Sequence, residues 1–264
     1  MPESDLALLT AAARQAGEIA QRYFRRDPEI TEKPDGAGPV TEADLAVNAM
    51  LAEELRAARP DYGWLSEEST DTAQRLNTRR QFVIDPIDGT RAFINGSKDW
   101  AHALAVVENG VPVAGVVYLP MHDRMYSATQ KTPARLNDAD LAVSAQPDLE
   151  QAVVLATKPN LDGKHWRGGQ PPPIKRAFRS SLAYRLCLVA QGRYDGMLTL
   201  RPSWEWDIAA GALIAAQAGA RVTDQYGAAL RFNNTTPKVP GVVVGARKLH
   251  DGLLAHLETR QPNA

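Results

Sequence analysis

Eight consecutive residues, Val83-Ile84-Asp85-Pro86-Ile87-Asp88-Gly89-Thr90, run from an apolar stretch straight into two carboxylates, a glycine and a hydroxyl. The apolar part reads as a short buried strand, and strand ends are where α/β proteins place ligands. Pro86 fixes the backbone between the aspartates. Gly89 lets the main chain come close to a ligand, leaving its own N–H and that of Thr90 free to hold an anion. Carboxylates beside anion-holding amides are sensible only with a cation between them. Oxygen donors of this kind, with no histidine or cysteine near them in the sequence, select Mg²⁺ over zinc. Asp, Pro and Gly are also ordinary turn formers, which accounts for an Asp-Gly pair and not for the whole string.

Two further acidic segments could complete a metal cage. Leu65-Ser66-Glu67-Glu68-Ser69 puts paired glutamates at the end of an expected strand, where neighbouring side chains face opposite ways, so only one of them should reach a metal. Trp204-Glu205-Trp206-Asp207 places Asp207 where a helix is expected to begin, and an N-cap role would by itself account for it. Thr41-Glu42-Ala43-Asp44 has the spacing of a capping box, which explains Thr41 and Asp44 without catalysis. A rival motif, the Asp-x-Asp-Gly-Thr of phosphatases with a nucleophilic aspartate, sets its aspartates two apart. Asp85 and Asp88 are three apart with a proline between.

Glu67-Glu68-Ser69, Asp85-Pro-Ile-Asp-Gly-Thr90 and Trp206-Asp207, in that order and across most of the chain, resemble the inositol monophosphatase superfamily of Mg²⁺-dependent, lithium-sensitive phosphatases. The resemblance implies a layered α-β-α-β-α fold, α+β passing into α/β, commonly dimeric. It implies two or three Mg²⁺ per site, bound by Glu67, Asp85, the Ile87 carbonyl, Asp88 and Asp207. Asp44 acquires a second meaning, because in the family the acid at that position pairs with the threonine at Thr90 to activate water. The implied reaction is in-line attack of water on a phosphomonoester, the phosphate resting on Gly89 and Thr90, with no phosphoenzyme.

The substrate is read from what departs from the inositol pattern. Inositol-preferring relatives carry an acid about seven positions before the Trp-Asp aspartate, and here Leu200 stands there, followed by Arg201. From Lys158 to Arg185, seven basic residues accompany one acid, Asp162, a local excess of positive charge that would suit a second phosphate. Such a run equally describes a solvated basic face. Arg179-Ser-Ser-Leu182 resembles the Gly-Ser-Ser-Leu stretch of the 3′(2′),5′-bisphosphate nucleotidase branch, with arginine in place of glycine. The expected substrate is therefore 3′-phosphoadenosine 5′-phosphate, its second phosphate held by Lys158 or Arg185. An inositol, sugar or histidinol phosphate is the alternative, and a non-catalytic cation-binding module the remote one.

The elements that must position these residues follow from periodicity. Helices are expected from Ser4 or Asp5 to Phe24, from Thr41 to before Pro60, over Leu182 to Gln191, over Ile208 to Ala218 with Gly219 closing it, and from His250. Gly36, Gly38 and Pro39 mark a loop. Strands are expected at Phe82–Ile84, Ala101–Val107 and Val111–Leu119, the last two joined by the hairpin pair Asn109-Gly110. Further strands are expected at Ala152–Leu155, Ile174–Phe178, Met197–Leu200, Arg221–Thr223 and Val242–Val244. The expected division is an N-terminal half, 1–150, with the metal motifs, and a C-terminal half, 151–264, completing the site, packed as one unit.

At 264 residues, with 44% hydrophobic and 23% charged residues and a formal net charge of −1, the chain has an ordinary globular composition. That balance argues against a nucleic-acid polymer as partner, and the partner the resemblance implies is a small phosphate ester. No apolar run approaches the ~18 residues of a membrane span, so no membrane insertion is expected. A single cysteine, Cys187, among leucines and valines, reads as a buried hydrophobe and fits the cytoplasm.

Overall fold

The computed structural model describes residues 4–26, 28–33, 38–145 and 148–258. The loop marker Gly36 lies outside them. The helices are α1 (Asp5–Tyr23), α2 (Glu42–Ala58), α3 (Thr90–Ile94), α4 (Leu182–Ala190), α5 (Glu205–Gln217) and α6 (Arg247–His256). A short antiparallel pair, β1 (Ile30–Glu32) and β2 (Pro39–Thr41), leads into α2. The large sheet holds seven strands in sequence order: β3 (Gly63–Ser66), β4 (Arg80–Asp88), β5 (Ala101–Glu108), β6 (Val111–Leu119), β7 (Arg124–Thr129), β8 (Thr132–Leu136) and β9 (Ala139–Asp140). Then follow β10 (Val153–Leu155), β11 (Lys175–Ala177), β12 (Gly196–Thr199), β13 (Ser203–Trp204), β14 (Arg221–Thr223), β15 (Lys238–Val239) and β16 (Val242–Gly245). Five of these form the second sheet, in the order β11-β10-β12-β16-β14.

The layers follow from which faces are apolar. Leu9, Ala16 and Ala20 of α1 pack with Val47 and Leu51 of α2 against Phe82, Ile84, Leu104 and Val116 on one face of the large sheet. The other face, with Val83, Ala105 and Val117, meets α4 and α5, whose far sides cover Met197, Val242 and Val244 of the second sheet. Leu249 and Leu253 of α6 close the outer side of that sheet with Trp166 and Leu198. The order is thus α-β-α-β-α. Helix α5 lies between two sheets, and almost every residue from Glu205 to Ala215 is buried, as expected of a helix apolar on all sides. Strand β5 likewise reads as a continuous apolar run because both its faces are covered.

Three differences from the sequence expectation have local causes. Strand β4 runs on to Asp88 rather than ending at Ile84, because a bulge between Asp85 and Asp88 lets the strand absorb Pro86, which has no N–H to give the ladder. Strands β7 to β9 were not anticipated. They are half-exposed meander strands without an apolar run, turning at the left-handed residues Asp123 and Asn137, and cross-strand pairing rather than composition defines them. Helix α5 begins at Glu205, so Trp204 stands at the cap and Asp207 is the third helical residue with no capping bond, not the N-cap. Where α5 crosses α4 the helices nearly touch. A Cβ on Gly211 would lie 2.7 Å from Leu186 Cβ. Gly211→Val is expected to destabilise the protein by about 1–3 kcal/mol through overpacking. A thermal melt should show this as a drop of a few degrees, and an unchanged midpoint would contradict the close packing.

Candidate active site

Three elements of the fold deliver four acids to one cleft. Glu67 follows β3, Asp85 and Asp88 sit on the bulged end of β4, and Asp207 lies in the first turn of α5. Glu67, Asp85 and Asp207 each offer a carboxylate oxygen within 4.8 Å of the others. The cleft, about 510 Å³, is lined by these three together with Ile87, Asp88, Gly89, Thr90, Arg185, Arg201, Phe178 and Trp204, among others. Gly89 takes the left-handed conformation (φ 98°) at the start of α3, which a side chain would strain.

Asp88 joins the two halves of the site. Its Oδ2 accepts 2.6 Å hydrogen bonds from Ser181 Oγ and from the Ala183 amide in the first turn of α4. Ser181 is at the same time the N-cap of α4, accepting from the Tyr184 amide. Beneath the bulge, His102 Nδ1 lies 2.5 Å from the Pro86 carbonyl, which can only accept, so Nδ1 carries the proton. Burial lowers the pKa of His102 to about 4 and keeps the ring neutral. No local signature marks this support, because a lone histidine in an apolar strand reads as core.

Asp44 divides its oxygens between two tasks. Oδ2 closes the capping box of α2, accepting from the Thr41 amide (2.9 Å) and the Thr41 hydroxyl (2.5 Å). Oδ1 accepts from Thr90 Oγ1 at 3.3 Å, and the same hydroxyl is 3.1 Å from the Ile87 carbonyl. The cap and the Thr90 contact therefore coexist in one carboxylate. Burial raises its pKa to about 6.

The cluster is electrostatically strained. Burial first, then Glu67, Asp88 and Asp207, raises Asp85 well above the usual carboxylate range; burial, Asp88 and Glu67 do the same to Asp207. Burial also raises Asp88, against the hydrogen bonds from α4. Asp85 Oδ1 is buried with no hydrogen-bond partner. An orphaned carboxylate oxygen among buried acids, with an all-oxygen donor set, fits a hard divalent cation. Of the paired glutamates, Glu67 joins this cluster and Glu68 does not. Lys33 Nζ binds both, at 2.7 and 2.6 Å, and burial raises the pKa of Glu68 to about 7. Lys33 was not anticipated from the sequence.

The basic residues divide as well. Arg185 is buried on α4 and lines the cleft, its Nε bonded to the Arg179 carbonyl at 2.5 Å, and burial lowers its pKa to about 10. Lys158 is exposed at the start of a 3-10 turn, Lys158–Leu161, and among the described residues its neighbour Thr157 lines the cleft instead. Arg201 and Arg91 line it too, unanticipated as substrate contacts, although Arg201 directly follows the position noted for its missing acid. Leu200 itself is packed in the core with Val154, Trp166 and Leu198.

A layered α-β-α-β-α fold with clustered acids at its strand and helix ends defines a class of metal-assisted phosphatases, and comparison with known proteins agrees. The model of the inositol monophosphatase family matches residues 1–261. The chain is 33% identical to an inositol-1-monophosphatase of Rhizobium meliloti (84% of this chain, 86% of that protein). It is also 33% identical to the 3′(2′),5′-bisphosphate nucleotidase CysQ of Escherichia coli K12 (83% and 90%), and 32% identical to a histidinol-phosphatase of Mycobacterium tuberculosis (97% and 99%). Among solved structures, the extragenic suppressor protein suhB of Bartonella henselae superposes with a TM-score of 0.81 at 29% identity, covering 94% of this chain and 96% of that one. The chain belongs to the inositol monophosphatase family and is a phosphatase of phosphate monoesters. No helix among the described residues is long and apolar enough to cross a membrane.

The strained acids give a pH dependence with a defined sign. A carboxyl whose folded pKa is raised contributes stability that is full below its unfolded value, near 4, and is lost as pH climbs through the folded value. Asp44 (about 6), Glu68 (about 7) and the raised Asp85, Asp88 and Asp207 all act this way. In chelator, the melting temperature is expected to fall between pH 5 and pH 8, less steeply in Asp85→Asn. Added Mg²⁺ should raise it more at pH 8 than at pH 5. A chelated protein that melts higher at pH 8 would contradict the strain.

Proposed function

We propose that the protein hydrolyses 3′-phosphoadenosine 5′-phosphate to AMP and phosphate, with Mg²⁺ held by Glu67, Asp85, the Ile87 carbonyl, Asp88 and Asp207. The observation that carries the reading is the buried guanidinium of Arg185 lining the same cleft as the acids, with Arg201 beside it. Arginine suits a second phosphate through its planar fork of donors. Leu200 supports the reading from the other side: buried in the core, it offers nothing to a ring hydroxyl. The CysQ relative agrees with it, while the inositol and histidinol relatives stand at similar identity.

When bound, Mg²⁺ supplies charge for the phosphate oxygens and lowers the pKa of a water. The chain supplies the rest. Gly89 and Thr90 cradle the reacting phosphate, while Arg185 and Arg201 hold the other one. Thr90 Oγ1 receives or orients the proton of the attacking water, and Asp44 Oδ1 accepts in turn from Thr90. With its second oxygen held in the capping box, Asp44 cannot rotate away. Its pKa of about 6 leaves it ionised, and able to accept, at neutral pH. Water adds to phosphorus, the ester P–O bond breaks, and the 3′ oxygen leaves with a proton. Family membership brings inhibition by Li⁺, a homodimer and a cytoplasmic site of action into the same proposal.

Two measurements test it. Thr90→Ala, which keeps the capping box, is expected to lower kcat by roughly 10²–10⁴-fold, the range of a general acid–base group. Asp44→Asn should do the same, whereas loss of a helix cap alone would cost about 1 kcal/mol of stability and leave kcat near wild type. For substrate choice, kcat/KM for 3′-phosphoadenosine 5′-phosphate should exceed that for inositol 1-phosphate by at least about tenfold, the worth of one charge-assisted contact. Arg185→Glu should erase that ratio. Equal efficiency on the two esters, or a preference for inositol 1-phosphate, overturns the nucleotide reading and leaves the metal chemistry standing.

A further inference from the structure

Two aromatic residues, Phe178 and Trp204, line the cleft among the described residues, and their rings are differently occupied. Trp204 is stacked on Trp206, with centroids 4.6 Å apart and planes 11° from parallel, and Lys238 Nζ lies 3.9 Å from its ring centroid. Neither partner leaves room for a third group on that indole, because two stacked rings and an ammonium at that distance must take opposite faces. Phe178 has one neighbour of this kind. The Arg185 guanidinium lies 4.5 Å from its centroid, and the residue is still 45% exposed.

A phenyl ring left this open beside a charged cleft is not part of the core, and it follows β11 in the loop that leads to Ser181 and hence to Asp88. The loop is held from within: Arg185 Nε binds the Arg179 carbonyl and Nη2 reaches the Ser180 carbonyl at 3.4 Å. The guanidinium therefore braces the ring from one side by a cation–π contact while its position is fixed by the backbone of the same loop. What remains is a flat apolar surface next to the residues that hold phosphates.

We propose that Phe178, backed by Arg185, is the shelf on which a planar ring of the leaving group stacks, making it a specificity-determining residue for esters of nucleosides or other aromatic alcohols. In its adenine form the inference rests on the nucleotide reading; in its general form it requires only a planar group. Stacking of a base on an aromatic side chain is sequence-tolerant and is of a size to change binding about tenfold or more.

The test compares pairs of substrates that differ in the ring. The first pair is 3′-phosphoadenosine 5′-phosphate and its base-free analogue 1,4-anhydroribitol 3,5-bisphosphate; the second is phenyl phosphate and glycerol 2-phosphate. In wild type the ring-bearing member of each pair should have the higher kcat/KM. Phe178→Ala is expected to lower that ratio about tenfold, mainly through KM, and Phe178→Trp to preserve it. If only the phenyl phosphate ratio falls, and neither bisphosphate outperforms inositol 1-phosphate in wild type, the nucleotide reading fails and the shelf stands. If both ratios in Phe178→Ala equal those of wild type, the shelf is overturned whatever the preferred substrate. A circular-dichroism melt of Phe178→Ala, expected at the wild-type midpoint for so exposed a ring, separates lost stacking from lost folding.

Discussion

Bringing buried and half-buried carboxylates together against their own repulsion is the constraint on which this structure depends. Glu67, Asp85 and Asp207 converge to within 4.8 Å although they come from β3, β4 and α5, and Asp88 joins them from the far end of the bulge. Each like charge raises the free energy of ionising the next, so the cluster would open unless each backbone were held independently. The holding contacts are local and strong. Ser181 and the Ala183 amide tie Asp88 to α4, His102 braces the Pro86 carbonyl, and helix α5, buried along most of its length, cannot shift without disturbing both sheets.

Glu205 shows how far that holding extends. It starts α5 two residues before Asp207, is fully buried, and accepts from the amides of Asn233 and Asn234 and from the Asn234 side chain. Arg75, also buried, clasps Asn233 and the Asn234 carbonyl while pairing with Asp71. Two loops far apart in sequence are thus tied by hydrogen-bonded charges to the turn that presents Asp207. Buried charges of this kind add little net stability but are costly to disrupt, which suits them to fixing position.

The residues around the cluster also separate its electrostatics into zones. Lys33 sits against Glu67 and Glu68 on one rim, while Arg185 and Arg201 line the cleft on the side of α4 and the end of β12. An ester with negative charge at both ends would meet positive charge around an acidic centre, and the acidic centre accepts it only with cations between. Asp44 is held in a similar way on a smaller scale, since the carboxylate that caps α2 also accepts a hydrogen bond from Thr90.

The local character of each motif was legible in the sequence because it depends on chemistry a few residues long. The eight-residue string from Val83, the capping box at Thr41, the hairpin at Asn109-Gly110 and the helices α1, α2 and α4 are all short-range patterns, and the three co-ordered acidic motifs sufficed for the family. Sequence could not decide what long-range contacts decide. It could not say that Leu200 turns into the core while Arg201 turns to the cleft, or that Arg185 lines it and Lys158 does not. Strands β7 to β9 exist through pairing with partners rather than through their own polar composition. Nor do Lys33, His102 and Phe178 carry any local signature, for each is an ordinary residue whose role comes from what the tertiary structure sets beside it: a pair of acids, a proline carbonyl, a guanidinium.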